Sequence, residues 1–171
     1  MIHDLDAEAI IEVFKRCEVN YVVIGAFAAI AQNVPVAPTM DIDFYAAPHR
    51  LNLQRLSNAL NLLDAKIRVN NLDEGIIFDR SPLFLGKLQV LNLTCAHGEF
   101  DVLFKASGFQ DFEELEKRSL TVVVGRTETQ VASVEDLARS KRAAGRIKDL
   151  KVLHIFERFL NDRDQGHGLE M

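Results

Sequence analysis

A chain of 171 residues, 48% hydrophobic and 26% charged, has the make-up of an ordinary globular domain large enough to bury a normal core, and no apolar run reaches the roughly 20 residues that would make a membrane partner. Its 20 basic and 25 acidic residues leave a net charge of −5, which excludes binding to nucleic acid through bulk charge and leaves only a local basic patch for that purpose. The two cysteines, Cys17 and Cys95, are not in a metal-ligand spacing, and acids at Asp4, Asp6, Glu8 and Glu12 interrupt any signal peptide, so a reducing, cytoplasmic setting is expected.

Residues 4–16 read as an amphipathic helix capped by Asp4 or Asp6, with Ile10, Val13 and Phe14 at helical spacing. The apolar run Tyr21-Val22-Val23-Ile24 reads as a buried strand. Gly25 marks the corner into a short helix rich in small residues, Ala26, Ala28, Ala29 and Ala31. Pro35 and Pro38 break that helix and force an extended linker into a second strand at 41–46. Pro48 is expected to open the next helix, whose apolar face is Leu51, Leu53, Leu56, Leu60 and Leu63. Short strands are expected at 66–69 and 75–78, with turns at 70–73 and at Ser81-Pro82.

Residues 88–104 alternate as an antiparallel hairpin turning at Ala96-His97-Gly98, with Asp101 on the face opposite Phe100 and Phe104. A helix at 112–117 and a strand pair at 120–125 and 129–132 follow. Ser133 caps a helix beginning at Val134, with Asp136 as a box-like acid, and Gly145 ends or kinks it. A last helix spans 149–160 and a polar, mobile tail follows. The expected fold is α/β: a small mixed sheet flanked by helices, with a core at 1–132, a helical C-terminal part at 133–162 closing a cleft in the same domain, and a flexible tail at 163–171.

The chemistry concentrates in three acids. On a strand, Asp41 and Asp43 point to one face and Ile42 to the other. Two carboxylates crowded on one face call for a positive partner, most economically a divalent cation with oxygen ligands. If the strand carrying Asp101 lies beside them, three carboxylates converge. Such a patch can hold two Mg²⁺ ions about 3.5–4 Å apart, which polarise a phosphate and stabilise the entering and leaving oxygens. Asp101 would also accept a proton from an attacking hydroxyl. Small side chains at Gly25 and Ala26 would let a triphosphate approach the backbone. The segment Arg139 to Lys151, RSKRAAGRIKDLK, is a local cationic element in an acidic chain. In it Lys141 can serve as a phosphate-directed cation, and Asp149 can orient it or a nearby Arg.

Taken together, strand, Gly-small corner, helix, Thr-x-Asp-x-Asp at Thr39 to Asp43 and a later strand Asp resemble the nucleotidyltransferase superfamily of DNA polymerase beta. Residues 141–149, KRAAGRIKD, are similar to a stretch of minimal nucleotidyltransferases, among them the abortive-infection (AbiEii-like) toxins of toxin–antitoxin systems. The resemblance runs over roughly residues 21–160. It implies Mg²⁺- or Mn²⁺-dependent transfer of a nucleoside monophosphate from an NTP, such as ATP, to a hydroxyl of tRNA, a protein or a small molecule, with a cognate antitoxin as a possible partner. It carries Asp41, Asp43 and Asp101 over as metal ligands and catalytic carboxylates. Gly25, Ala26, Thr39, Lys141 and Asp149 become nucleotide-binding positions. Two positions depart from the motif: Ala26 stands where Gly or Ser is usual, and Ala37 where Arg is frequent. They support an alternative reading, a nucleotide- or partner-binding module of the same fold without transfer activity.

Overall fold

Which side of the sheet becomes core is decided by alternation along two strands. The computed structural model describes residues 4–109 and 111–168. In chain order the elements begin with α1 (Ala7–Arg16), β1 (Tyr21–Ile24), α2 (Gly25–Ala31), β2 (Asp41–Ala46) and α3 (Arg50–Leu62). They continue with β3 (Lys66–Val69), β4 (Leu72–Ile76), α4 (Pro82–Leu85), β5 (Val90–Cys95) and β6 (Gly98–Leu103). The last five are α5 (Phe112–Arg118), β7 (Leu120–Val124), β8 (Thr127–Val131), α6 (Val134–Ala144) and α7 (Ile147–Gly168). The eight strands form one mixed sheet in the order β4-β3-β5-β6-β2-β1-β8-β7. The α/β fold expected from the sequence is the fold found.

On β2 and β6 the side chains of Ile42, Phe44, Phe100 and Val102 are fully buried, while Asp41, Asp43 and Asp101, on the alternate positions, face the other way. The apolar face is closed by α1 and α3. Phe14 of α1 stacks on Phe44 with ring centroids 4.3 Å apart, and Tyr21 and Phe100 meet Phe44 edge to face at 5.2 and 6.2 Å. Aromatic pairs in these geometries add to what burial alone contributes. Leu53, Leu56 and Leu60 of α3 extend the same core.

β2 and β6 run parallel, paired Asp41 to Glu99, Asp43 to Asp101 and Tyr45 to Leu103. β5 and β6 are the expected antiparallel hairpin. Local signals set most boundaries as the sequence suggests. Asp6 caps α1, its side chain accepting from the Ala9 N–H at 3.1 Å. Ser133 caps α6, accepting from the Asp136 N–H at 3.1 Å. Gly145 ends α6 with φ 63, the left-handed cap that glycine adopts at least cost.

Several expectations are corrected. α1 starts at Ala7 rather than at residue 4. α3 does not open at Pro48 but at Arg50, with His49 as its cap, Nδ1 accepting from the Asn52 N–H. β4 starts at Leu72, because Asn71, at φ 67, closes a tighter turn than the one expected over 70–73. Ser81-Pro82 opens a single helical turn, α4, with Ser81 as its cap. The carboxylate of Asp136 does not complete a capping box. It is buried and takes Arg118 Nε at 2.9 Å and Arg139 at 2.7 Å, clasping α5 to α6. Finally, α7 runs to Gly168 through most of the expected tail; residues 169–171 lie outside the described residues. Along the extension Arg163 pairs with Glu135 in the first turn of α6. Among the described residues, no helix is long and apolar enough to cross a membrane.

Phe44 is central to the aromatic cluster. Replacing it with Ala should cost about 3–5 kcal/mol in urea-induced unfolding. A loss under about 1 kcal/mol would show that the cluster does not hold the sheet to α1.

Candidate active site

Register does the positioning. The pairs Asn92 with Asp101, Asp101 with Asp43, and Asp43 with Ile24 form one row across four strands on the polar face. Asp41 stands two residues from Asp43 on the same face. One oxygen from each of Asp41, Asp43 and Asp101 lies within 4.8 Å of the others, and all three side chains are half-buried.

Because Ile24 is paired with Asp43, the next residue, Gly25, comes to rest against that carboxylate. A Cβ on Gly25 would sit 2.2 Å from Asp43 Oδ2, and Gly25 holds φ 73. Both facts call for glycine: a side chain would collide, and an L-residue would be strained in this conformation. Behind Asp41, Thr39 Oγ1 donates to Asp41 Oδ1 at 2.8 Å. Thr39 therefore holds a carboxylate in place, one step further back than the nucleotide contact that the resemblance implies.

Opposite the acids, α6 and α7 complete a cavity of about 770 Å³ lined by Gly25, Ala26, Asp41, Asp43, Asp101, Lys141 and Asp149, with Lys105, Ser140 and Lys148 further along its wall. Seven of the eight positions singled out in the sequence thus share one cavity, of a size that suits a nucleotide-sized ligand. Lys141 Nζ lies 3.3 Å from Asp149 Oδ1. Arg146 Nε donates to Asp149 Oδ2 at 2.5 Å. Asp149 is fully buried, and its carboxyl is held below the usual carboxylate range by the Arg146 hydrogen bond first, with Lys141 adding to it. The basic run is less available to a polyanion than its composition suggests. Arg139 is taken by Asp136, Arg142 by Glu157 and Arg146 by Asp149.

The acids themselves are electrostatically uncomfortable. Asp43 is pushed up to about 8, by burial first and then by the charges of Asp41 and Asp101; a hydrogen bond with Asp101 adds to this and Lys141 opposes it. Asp101 is also raised, chiefly by burial, with the Arg68 guanidinium pulling the other way. Two neighbouring carboxyls sharing a proton is how such a cluster lowers its energy without a cation. An oxygen-only donor set of three carboxylates fits a hard divalent ion such as Mg²⁺ or Mn²⁺.

Arg68 escaped the sequence reading. It sits on β3, and its Nη2 donates to Asp101 Oδ1 at 3.0 Å. Only the order β3-β5-β6 brings it there. Its one local signal is the alternation Lys66-Ile67-Arg68-Val69, which puts a charge on one face without saying what lies opposite.

Two outcomes follow from this geometry. Gly25→Ala should destabilise the chain by more than about 1 kcal/mol, and a double-mutant cycle with Asp43→Ala should recover at least about 0.5 kcal/mol; strict additivity would show that Gly25 and Asp43 do not press on each other. Asp43 has a folded-state value far above its unfolded one, so unfolding releases a proton between about pH 4 and 8. Its contribution is complete below the unfolded value and is lost as pH rises through about 8. In chelator, the melting temperature of the wild type should therefore fall from pH 5 to 8 more steeply than that of Asp43→Asn; parallel curves would contradict the assignment.

No protein-family model and no curated protein matches this chain. Among solved structures, it is similar to a proposed nucleotidyltransferase from Thermotoga maritima, with 18% identity over 94% of this chain and 97% of that one and a TM-score of 0.54. At that identity the likeness is one of architecture, and it shows that the sheet and its flanking helices, the C-terminal one included, make a nucleotidyltransferase-like fold.

Proposed function

We propose that the protein is a metal-dependent nucleotidyltransferase that moves a nucleoside monophosphate from an NTP to a hydroxyl of an acceptor. The observation that carries this reading is the in-register pairing of Asp43 with Asp101, with Asp41 beside them, across a cavity from Lys141. Asp41, Asp43 and Asp101 would hold Mg²⁺ or Mn²⁺. When bound, a divalent ion neutralises phosphate charge and polarises the α-phosphorus.

The chain's own residues supply the rest. Thr39 fixes the Asp41 carboxylate. Gly25 leaves room for Asp43, and with Ala26 it presents a wall that carries little side-chain bulk. Lys141, steadied by Asp149, offers an ammonium group to the triphosphate. Asp101 accepts the proton of the acceptor hydroxyl as that oxygen attacks the α-phosphorus. The bond from the α-phosphorus to the bridging oxygen of the β-phosphate breaks, and pyrophosphate leaves.

The resemblance noted above extends the proposal to ATP as a donor, to tRNA, a protein or a small molecule as acceptor, and to the role of a toxin with a cognate antitoxin. The engagement of Arg139, Arg142 and Arg146 with acids weighs against an acceptor recognised mainly through a long phosphate backbone. A second reading, a binding module without transfer activity, is favoured by one observation: Ala26, on the cavity wall, lacks the hydroxyl that a Ser would bring.

Incubation with α-³²P-labelled NTPs, Mg²⁺ or Mn²⁺ and a cell extract tests the proposal. Label should appear on an acceptor and fall by about a hundredfold or more in Asp43→Ala, while Lys141→Ala should weaken transfer chiefly through NTP affinity. NTP and metal binding with no labelled acceptor would support the binding module. Pyrophosphate or phosphate release without labelling would point to a hydrolase.

A further inference from the structure

Arg68 reaches Asp101 from two strands away. β5 lies between β3 and β6, so the side chain spans β5 to place Nη2 at 3.0 Å from Asp101 Oδ1 and Nη1 at 3.4 Å from Glu99 Oε2. Glu99 and Asp101 are alternate residues of β6 and share a face. Both ends of the pair are shielded from water: the Arg68 side chain is 27% exposed and that of Asp101 17%. The two prongs are not equal. Nη2 donates an aligned hydrogen bond to Asp101, whereas Nη1 is buried with no hydrogen-bond partner, within ion-pair range of Glu99 but outside bonding geometry. The guanidinium is thus aimed at Asp101 and leaves a donor of its own unsatisfied.

A cation beside a cation site is an unexpected neighbour. By Coulomb's law alone it repels a divalent ion and weakens its binding. A site built for metal affinity through charge would leave this position neutral. What a charge-assisted bond to one oxygen does supply is a fixed carboxylate plane. We infer that Arg68 is a positioning residue for Asp101: it holds one carboxylate oxygen so that the group is presented in a fixed orientation to the bound cation and to the acceptor hydroxyl. The inference rests on the nucleotidyl-transfer reading of the site.

In Mn²⁺ binding followed as a function of pH and compared where the carboxyls are fully ionised, so that protons no longer compete with the metal, positioning and repulsion by Arg68 predict opposite signs. Mn²⁺ binding to the full chain, followed by electron paramagnetic resonance, should be weaker in Arg68→Gln by about 10- to 100-fold, even though a repelling charge has been removed. Arg68→Lys should fall between the two, since an ammonium group keeps the charge but lacks the planar fork. Unchanged or tighter binding in Arg68→Gln overturns the inference. If Arg68→Gln does not fold, Arg68→Lys decides alone: wild-type affinity overturns the inference and a clear loss supports it. Asp43→Ala separates the two levels of the argument. If the wild type binds Mn²⁺, Asp43→Ala does not, and Arg68→Gln is unaffected, the positioning role falls while the site stands. If the wild type binds no Mn²⁺, both fall.

Discussion

The parallel pairing of β2 with β6 is the constraint on which the rest depends. It sets Asp43 directly beside Asp101, and alternation then sends Phe44 and Val102 to the opposite face, where they are buried. Core and site are therefore two sides of one register. A slip of one residue would expose the aromatic cluster and bury the acids at the same time. The cost of crowding carboxylates, visible in the raised Asp43 and Asp101, is carried by a sheet whose other face has every reason to stay in place.

The remaining elements build the cavity around those carboxylates. α2 can start against Asp43 only because residue 25 has no side chain. α6 and α7 place an ammonium group across the cavity and steady it with Asp149, which is itself clamped by Arg146. Much of the positive charge in the C-terminal helices is spent within the chain, on Asp136, Asp149 and Glu157. Four of the six basic side chains of residues 139–151 are paired with acids, which leaves the segment less charge for following a nucleic-acid strand than its composition suggests.

The legible parts of the sequence were those with short-range causes. The strands at Tyr21–Ile24 and Asp41–Ala46 and the glycine corner between them follow from alternation and from glycine and proline and were read as they stand; the hairpin carrying Asp101 was read too, though Gly98, expected in its turn, pairs with Cys95 as the first residue of β6. The convergence of Asp41, Asp43 and Asp101 could be stated only on condition that their strands were neighbours. Strand order is a long-range fact that no local pattern encodes, and for that reason Arg68 was invisible. The helical stretch 161–168 was missed because its residues are polar, and those at 161–166 are exposed, so no apolar periodicity marks the helix. His49 as a cap and the tighter turn at Asn71 were misjudged because proline and asparagine runs mark a break without fixing its last residue.

The central claim is that three carboxylates from two parallel strands form a divalent-cation site facing a nucleotide. Crystals grown with Mn²⁺ and a non-hydrolysable NTP analogue, measured at the manganese absorption edge, test it most directly. The account predicts an anomalous peak among the carboxylates of Asp41, Asp43 and Asp101, with the triphosphate between that peak and Lys141. A triphosphate bound elsewhere, or manganese found away from these three side chains, would contradict it.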